Sequence, residues 1–108
     1  MLLQIYFKVA EDKGADFEAM YRDAYVPAMQ KQVGYEGSLL LRLFPPEVCE
    51  EIEAAPTDYN YQMNLVFDTE ENRIKWAASD EHQEVWPLAR SMVEQVAWRG
   101  YDVAGEDG

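Results

Sequence analysis

Three segments of the chain alternate between apolar and polar side chains, with the period of two residues that is typical of β-strands. They cover residues 2–9, 38–44 and 59–67. In the first, one face is fully apolar and consists of Leu3, Ile5, Phe7 and Val9. A short final strand is predicted over residues 98–104. The pattern therefore predicts four strands.

Between the strands the apolar period becomes that of a helix. From residue 17 to Gly34 the apolar positions share one helix face, and Pro27 is expected to kink that helix. The acidic stretch 47–58 has room for one helical turn. Thr69 is predicted to cap a helix that ends near Ala78, and Ser79 or Asp80 to cap another whose apolar spacing continues to Val96.

The element order β-α-β-β-α-β, with right-handed crossovers, predicts the fold class α+β. We expect a ferredoxin-like, four-stranded antiparallel sheet, with the first and third strands in the centre and the helices on one face. Residues 1–104 are predicted to form one domain, and residues 105–108 a flexible tail.

One face of such a sheet has no helices over it. We expect this face to mix polar with apolar side chains, namely Gln4, Tyr6, Leu40, Arg42, Phe44, Asn60, Gln62, Asn64, Val66 and one or more aromatic residues of the last strand. A mixed surface of this kind is too apolar for free water and polar enough for a wet interface. The prediction is a two-fold homodimer through the uncovered sheet face.

The net charge of −12, from 21 acidic and nine basic residues, argues against nucleic acid and anionic membranes as partners. No apolar run approaches the roughly 20 residues that span a bilayer. The single cysteine, Cys49, excludes an intrachain disulfide and is consistent with the cytoplasm, which is the predicted location. The expected partners are a second copy of the chain and an apolar small molecule.

His82 is the one side chain whose ordinary pKa lies near neutrality, so it is the candidate general acid or base. The alternative is that it is solvated or contributes to a helix cap. Seven aromatic residues could line a cavity for a flat ligand or simply fill the core, namely Phe7, Tyr21, Tyr25, Tyr61, Phe67, Trp76 and Trp86. Arg42 or Arg73 could hold a carboxylate, but a surface ion pair of Arg73 with Glu70 or Glu71 is favoured. No metal-ligand, phosphate-loop or catalytic-triad pattern is present, so no metal and no cofactor is expected.

Several runs of the chain resemble the dimeric α/β-barrel superfamily, and most closely its antibiotic-biosynthesis-monooxygenase-like domains. These runs are Tyr25-Val26-Pro27, Gly34–Ser38, Phe67–Glu71 and Trp76–His82. The resemblance implies a pocket inside each subunit, between sheet and helices. Its floor would hold Phe7, Met63 and Phe67, and its roof Trp76, His82 and Trp86.

The resemblance also implies which chemistries to expect. Haem-degrading members use an Asn, a Trp and a His, of which only the Trp is matched here, by Trp76; Phe7 and Trp86 occupy the other two positions, so haem degradation is disfavoured. Met63 and Phe67 replace the Asn and Trp of the anthrone oxygenases.

Two functions follow as hypotheses. The first is a cofactor-independent monooxygenase for an apolar aromatic or polyketide-like molecule. Its predicted catalytic residue is His82, and its predicted substrate-binding residues are Phe7, Tyr21, Tyr61, Met63, Phe67, Trp76 and Trp86. The alternative is a non-catalytic dimeric domain that binds an apolar ligand or serves only assembly.

Overall fold

The four strands form one antiparallel sheet in the order β2-β3-β1-β4. Their bounds in the computed structural model, which describes residues 1–108, are β1 (Leu2–Val9), β2 (Tyr35–Arg42), β3 (Tyr61–Phe67) and β4 (Val93–Tyr101). The first and third strands are central. The predicted α+β, ferredoxin-like fold is therefore confirmed.

The first helical region is interrupted close to Pro27. It consists of a 3₁₀ turn (Glu11–Lys13), α1 (Gly14–Met20), a π-helical segment (Tyr21–Tyr25) and α2 (Val26–Gln30). Within it, the backbone N–H of Val26 donates to the carbonyl of Tyr21, five residues back. Pro27 has no N–H to continue the regular pattern, so the expected kink takes the form of a π-helical turn that ends at Tyr25.

Three further helices follow, α3 (Pro46–Glu51), α4 (Glu70–Ala78) and α5 (Asp80–Ser91). The Thr69 side chain caps α4 by accepting from the N–H of Asn72 at 3.1 Å. Ser79 ends α4 and begins α5, because its hydroxyl donates to the carbonyl of Trp76 at 2.7 Å and accepts from the N–H of His82 at 3.1 Å. This single residue thus brings Trp76 and His82 together.

The boundary between α5 and β4 was predicted wrongly. The helix ends at Ser91, and Val93 and Val96 belong to β4, where they pair with Val9 and Phe7 of β1. A short apolar run fits both the helical and the strand period. Pairing decides between them, because it satisfies the backbone groups along the outer edge of β1. Residues 102–108 form no helix or strand.

The predicted face of β2 was also wrong. Leu40 and Arg42 pair with Met63 and Tyr61 and therefore lie on the helix side, while Leu39 and Leu41 lie on the uncovered face. The run Leu39–Leu41 is apolar at both parities, so alternation alone does not choose a face. On the observed face, Arg42 forms an ion pair with Glu18 of α1 at 2.9 Å.

On β4 the two aromatic side chains face opposite ways. Trp98 pairs with Ile5 and lies on the helix side, whereas Tyr101 pairs with Leu2 and lies on the uncovered face. The expectation that one or more aromatic residues of the last strand lie on the uncovered face is confirmed by Tyr101.

The core lies between the sheet and the helices, and all its buried residues are apolar or aromatic. The largest fully buried side chains are Phe7, Phe17, Tyr25, Met29, Met63, Leu65, Phe67 and Trp76. None of the helices is both long and apolar enough to cross a membrane.

Candidate functional site

A cavity of about 230 Å³ lies over the β1–β4 half of the sheet, beneath α4 and α5. Its floor comes from β1 and β4, and its roof from the π-helical segment and the two helices. We call it the tryptophan cavity because all three tryptophans of the chain line it. The lining residues are Leu3, Ile5, Tyr25, Arg73, Trp76, Ala77, His82, Trp86 and Trp98.

The aromatic rings around the cavity contact one another in a continuous row. The ring of His82 meets Trp76 edge-on at 4.9 Å between centroids and stacks on Trp86 at 5.9 Å. Trp86 in turn meets the edge of Trp98 at 6.4 Å, and Trp76 that of Tyr25 at 5.7 Å. Trp76 is buried, whereas Trp98 is 61% exposed and stands at the rim. The walls therefore present π-faces and edges that suit a flat aromatic molecule.

Two polar atoms in this region have no hydrogen-bond partner. They are the hydroxyl of Tyr25 and Nδ1 of His82, and they are the only buried side-chain nitrogen or oxygen atoms in the protein without one. A buried polar atom without a partner costs about 1–3 kcal/mol. Both residues line the same cavity.

Burial also sets the protonation of these two groups. It lowers the pKa of His82, so the imidazole is neutral at pH 7 and can accept a proton. Burial raises the pKa of the Tyr25 phenol, which therefore stays protonated and can donate a hydrogen bond. The cavity thus combines a neutral base with a neutral donor in an apolar setting.

The cavity wall also contains one guanidinium group, that of Arg73 on α4. As expected from the sequence, Arg73 forms an ion pair with Glu70, through two nitrogens. The hydrogen bond from Arg73 lowers the pKa of the Glu70 carboxyl. The same side chain also reaches the cavity.

Of the residues proposed from the sequence, His82, Trp76 and Trp86 meet at the tryptophan cavity. Phe7, Met63 and Phe67 are fully buried in the core and do not line it. The floor is formed instead by Leu3 and Ile5, with Trp98 at the rim, because the space lies towards β4 rather than under β3.

Tyr21 and Tyr61 also lie away from this cavity. The hydroxyl of Tyr21 is 2.6 Å from Oγ of Ser38, on β2. The hydroxyl of Tyr61 donates to Oε2 of Glu18 at 2.6 Å, at the opposite end of the helix layer. Both hydroxyl groups therefore have hydrogen-bond partners within the protein.

The predicted set of site residues lacks five of the lining residues, namely Leu3, Ile5, Tyr25, Arg73 and Trp98. The sequence does name Tyr25 among the aromatic residues that could line a cavity, and Arg73 as a side chain that could hold a carboxylate. Tyr25 carried a usable signal, since it lies two residues before Pro27, where an irregular helix was expected. Arg73 and Trp76 are three residues apart, so they share a helix face. No cluster of histidine, cysteine or acidic side chains is arranged to hold a metal ion.

No protein-family model matches the chain, and no curated protein matches it in sequence. Solved structures do match it over nearly its whole length. SnoaB from Streptomyces nogalater, a cofactor-independent oxygenase crystallised as a point mutant, has 15% identity and a TM-score of 0.69, covering 97% of this chain and 96% of its own. A candidate antibiotic biosynthesis monooxygenase from Bordetella bronchiseptica has 23% identity and a TM-score of 0.67, with coverages of 94% and 97%.

A third similar structure is a point mutant of MhuD with two manganese protoporphyrin IX molecules bound per active site. Its identity is 16% and its TM-score 0.74, over 100% of this chain and 99% of MhuD. At identities below 25% these likenesses concern the backbone arrangement. They confirm that the chain has the ferredoxin-like fold of the antibiotic-biosynthesis-monooxygenase-like proteins, as the sequence resemblance implied.

Proposed function

We propose that this protein is a cofactor-independent monooxygenase acting on a small apolar aromatic molecule, which binds in the tryptophan cavity, and that it works in the cytoplasm. The observation that carries the proposal is the pair of unpartnered buried atoms, Tyr25 Oη and His82 Nδ1, beside an aromatic-walled space. SnoaB, a cofactor-independent oxygenase of the same fold, supports the reaction class.

The chemistry needs a base and a dry site. Neutral His82 takes a proton from an acidic C–H or O–H of the substrate, and the resulting anion is electron-rich enough to reduce dioxygen. Tyr25 donates a hydrogen bond to the substrate oxygen on which negative charge develops. Conversion of a ring CH₂ to C=O by O₂ releases one water, so the substrate supplies all the electrons.

The cavity volume narrows the substrate class. At about 230 Å³ it lies below the range of roughly 300–1,000 Å³ that is common for drug-sized ligands. A one- or two-ring aromatic compound is therefore favoured over a multi-ring polyketide.

Haem fits this site poorly. Trp86 occupies the position expected for the iron ligand and has no metal-binding atom, while Phe7, at the expected Asn position, is buried in the core away from the cavity.

The test is oxygen uptake with a panel of one- and two-ring hydroxyaromatic compounds and anthrone, run beside a binding measurement. We expect uptake in step with carbonyl formation, loss of turnover but not of binding in His82→Gln, and no change in the control Gln83→Ala, whose side chain is exposed on the same helix. Uptake that is unchanged in His82→Gln would overturn the role of His82. Binding without uptake would favour the non-catalytic domain that binds an apolar ligand, and no binding at all would refute the monooxygenase and leave the role in assembly alone.

We also propose that two copies of the chain associate through the uncovered sheet face. This face exposes apolar side chains on both edge strands, with Leu39 of β2 at 60% and Tyr101 of β4 at 45% exposure. Such a patch is typical of a protein interface. Light scattering should give the mass of a dimer, and Leu39→Glu should give a monomer. The control Ile74→Glu, which changes an exposed apolar residue of α4, should remain dimeric; a monomeric wild type would refute the proposal.

A further inference from the structure

The charge in the wall of the tryptophan cavity is opposite to that of the protein as a whole. The chain has 21 acidic residues and a net charge of −12, yet none of these carboxylates lines the cavity. The one ionised side chain there is the guanidinium of Arg73. Although the protein is strongly acidic, the wall of this cavity therefore offers an anion one positively charged side chain and no carboxylate.

The Arg73 side chain is oriented towards the protein rather than towards solvent. It is 24% exposed, whereas Lys75 on the same helix is 68% exposed. Two hydrogen bonds to Glu70, from Nε at 3.2 Å and from Nη2, hold the guanidinium in place. They leave Nη1 without an acceptor in the protein. The group is thus pre-oriented, with donor capacity to spare.

We propose that the ligand of the tryptophan cavity is a planar aromatic anion, with its ring against the tryptophans and its ionised oxygen on Arg73. This inference rests on the proposed function only for the location of the ligand, and not for any reaction. Guanidinium groups are weakly hydrated, stack on aromatic faces and bind carboxylates through paired hydrogen bonds. The unpartnered atoms of Tyr25 and His82 are available to the remaining polar atoms of the same ligand.

Glu70 restrains this interaction, since it occupies the same guanidinium. Its side chain is 54% exposed and lies outside the cavity wall, so water screens it more than it would a ligand inside. A ligand anion competes with Glu70 for Arg73. The geometry therefore predicts that removing the charge of Arg73 weakens ligand binding and that removing the charge of Glu70 strengthens it. An ion pair with a purely structural role would not give these opposite effects.

The experiment compares 2-naphthoate with its neutral counterpart 2-naphthamide. Binding is followed by the indole N–H signals in NMR, because the three tryptophans of the chain all line the cavity. We expect naphthoate to bind the wild type at least about tenfold more tightly than naphthamide. High salt should weaken the binding of naphthoate and leave that of naphthamide unchanged.

Three variants make the test specific. Arg73→Gln should weaken naphthoate about tenfold and leave naphthamide within about twofold, whereas Glu70→Gln should strengthen naphthoate. Lys75→Gln, which removes an exposed positive charge from the same helix, should change neither. Signal dispersion in the same spectra shows whether each variant is folded.

Two outcomes would overturn the inference while leaving the cavity as a binding site. These are equal affinity for the two compounds, and an equal loss of both in Arg73→Gln. If neither compound shifts any indole signal, the inference fails and the proposed binding site fails with it. The first two results refute anion selection alone, so the failures are distinguishable.

Discussion

Tyr25 and Tyr61 are both buried tyrosines of the helix–sheet layer, but their hydroxyl groups meet opposite surroundings. Tyr61 is 7% exposed and donates to Oε2 of Glu18 at 2.6 Å, an oxygen that also accepts from Arg42 at 2.9 Å. Tyr25 is fully buried, and its hydroxyl has no partner. The buried hydroxyl at the Tyr61 end of the layer is therefore hydrogen-bonded within the protein, whereas the one at the Tyr25 end is not.

The hollows beside the two tyrosines differ in the reverse sense. The groove beside Tyr61, along residues 42–57, has a volume of about 830 Å³, several times the 230 Å³ of the tryptophan cavity. Size alone would place the site at Tyr61. Buried polar groups are nearly always paired, so unpaired ones are more informative than volume. The smaller space is therefore the one lined by residues whose buried polar atoms have no partner within the protein.

The largest predicted effect concerns Phe7, which separates the two regions. The centroid of its ring lies 5.0 Å from that of Phe17, on the Tyr61 side, and 6.1 Å from that of Trp86, on the cavity side. Because Phe7 is fully buried, Phe7→Ala should lower the free energy of unfolding by about 3–5 kcal/mol in chemical denaturation.

The matched control for Phe7→Ala is Trp98→Ala at the exposed rim of the cavity. It should cost less than about 1 kcal/mol while abolishing ligand binding. Equal costs for the two variants would show that the rim is part of the core, and the distinction between filled and open regions would then fail.

The next effect separates the two hydroxyl groups directly. Tyr61→Phe removes a hydrogen bond to a charged group and should lower the free energy of unfolding by about 1–2 kcal/mol. Tyr25→Phe removes a hydroxyl that is paired with nothing, so it should be neutral or stabilising by up to about 1 kcal/mol. Denaturant titration of both variants is the measurement. A loss of similar size in the two would mean that Tyr25 has a partner in the folded protein.

The fold and the break between α4 and α5 are predictable from local sequence signals. The alternation of β1 and β3 and the caps at Thr69 and Ser79 are local signals, and they led to the right fold and to the break between α4 and α5. The face of β2 was not predictable in this way. Leu39–Leu41 are apolar at both parities, and an ion pair between distant residues, Arg42 and Glu18, favours the observed face.

The site was predicted in part for the same reason. His82, Trp76 and Trp86 stand on adjacent helices joined by Ser79, so local spacing brings them together. The cavity floor depends on the register of β1 with β4, which pairs Ile5 with Trp98, and this is a long-range property. Arg73 was interpreted from its neighbours in sequence as a surface residue, because the helical pattern does not show how close a cavity lies to that face.

The smallest effect is a difference in pH dependence between the two ends. Burial lowers the pKa of His82, so the folded state resists a proton that the unfolded chain accepts below about pH 6.5. His82 therefore contributes stability above that pH, and the contribution is lost as the pH falls through the lower, folded-state pKa. At the other end, the hydrogen bond from Tyr61 lowers the pKa of Glu18, and the contribution of Glu18 to stability is lost only below the ordinary glutamate range of about pH 4.3.

Between about pH 7 and pH 5 the melting temperature of the wild type should therefore fall more than that of His82→Gln, while Tyr61→Phe follows the wild type. If the melting temperatures of His82→Gln and the wild type fall in parallel over this interval, the imidazole is not shielded from water. The Tyr25 end and the Tyr61 end of the layer would then show no difference in pH dependence.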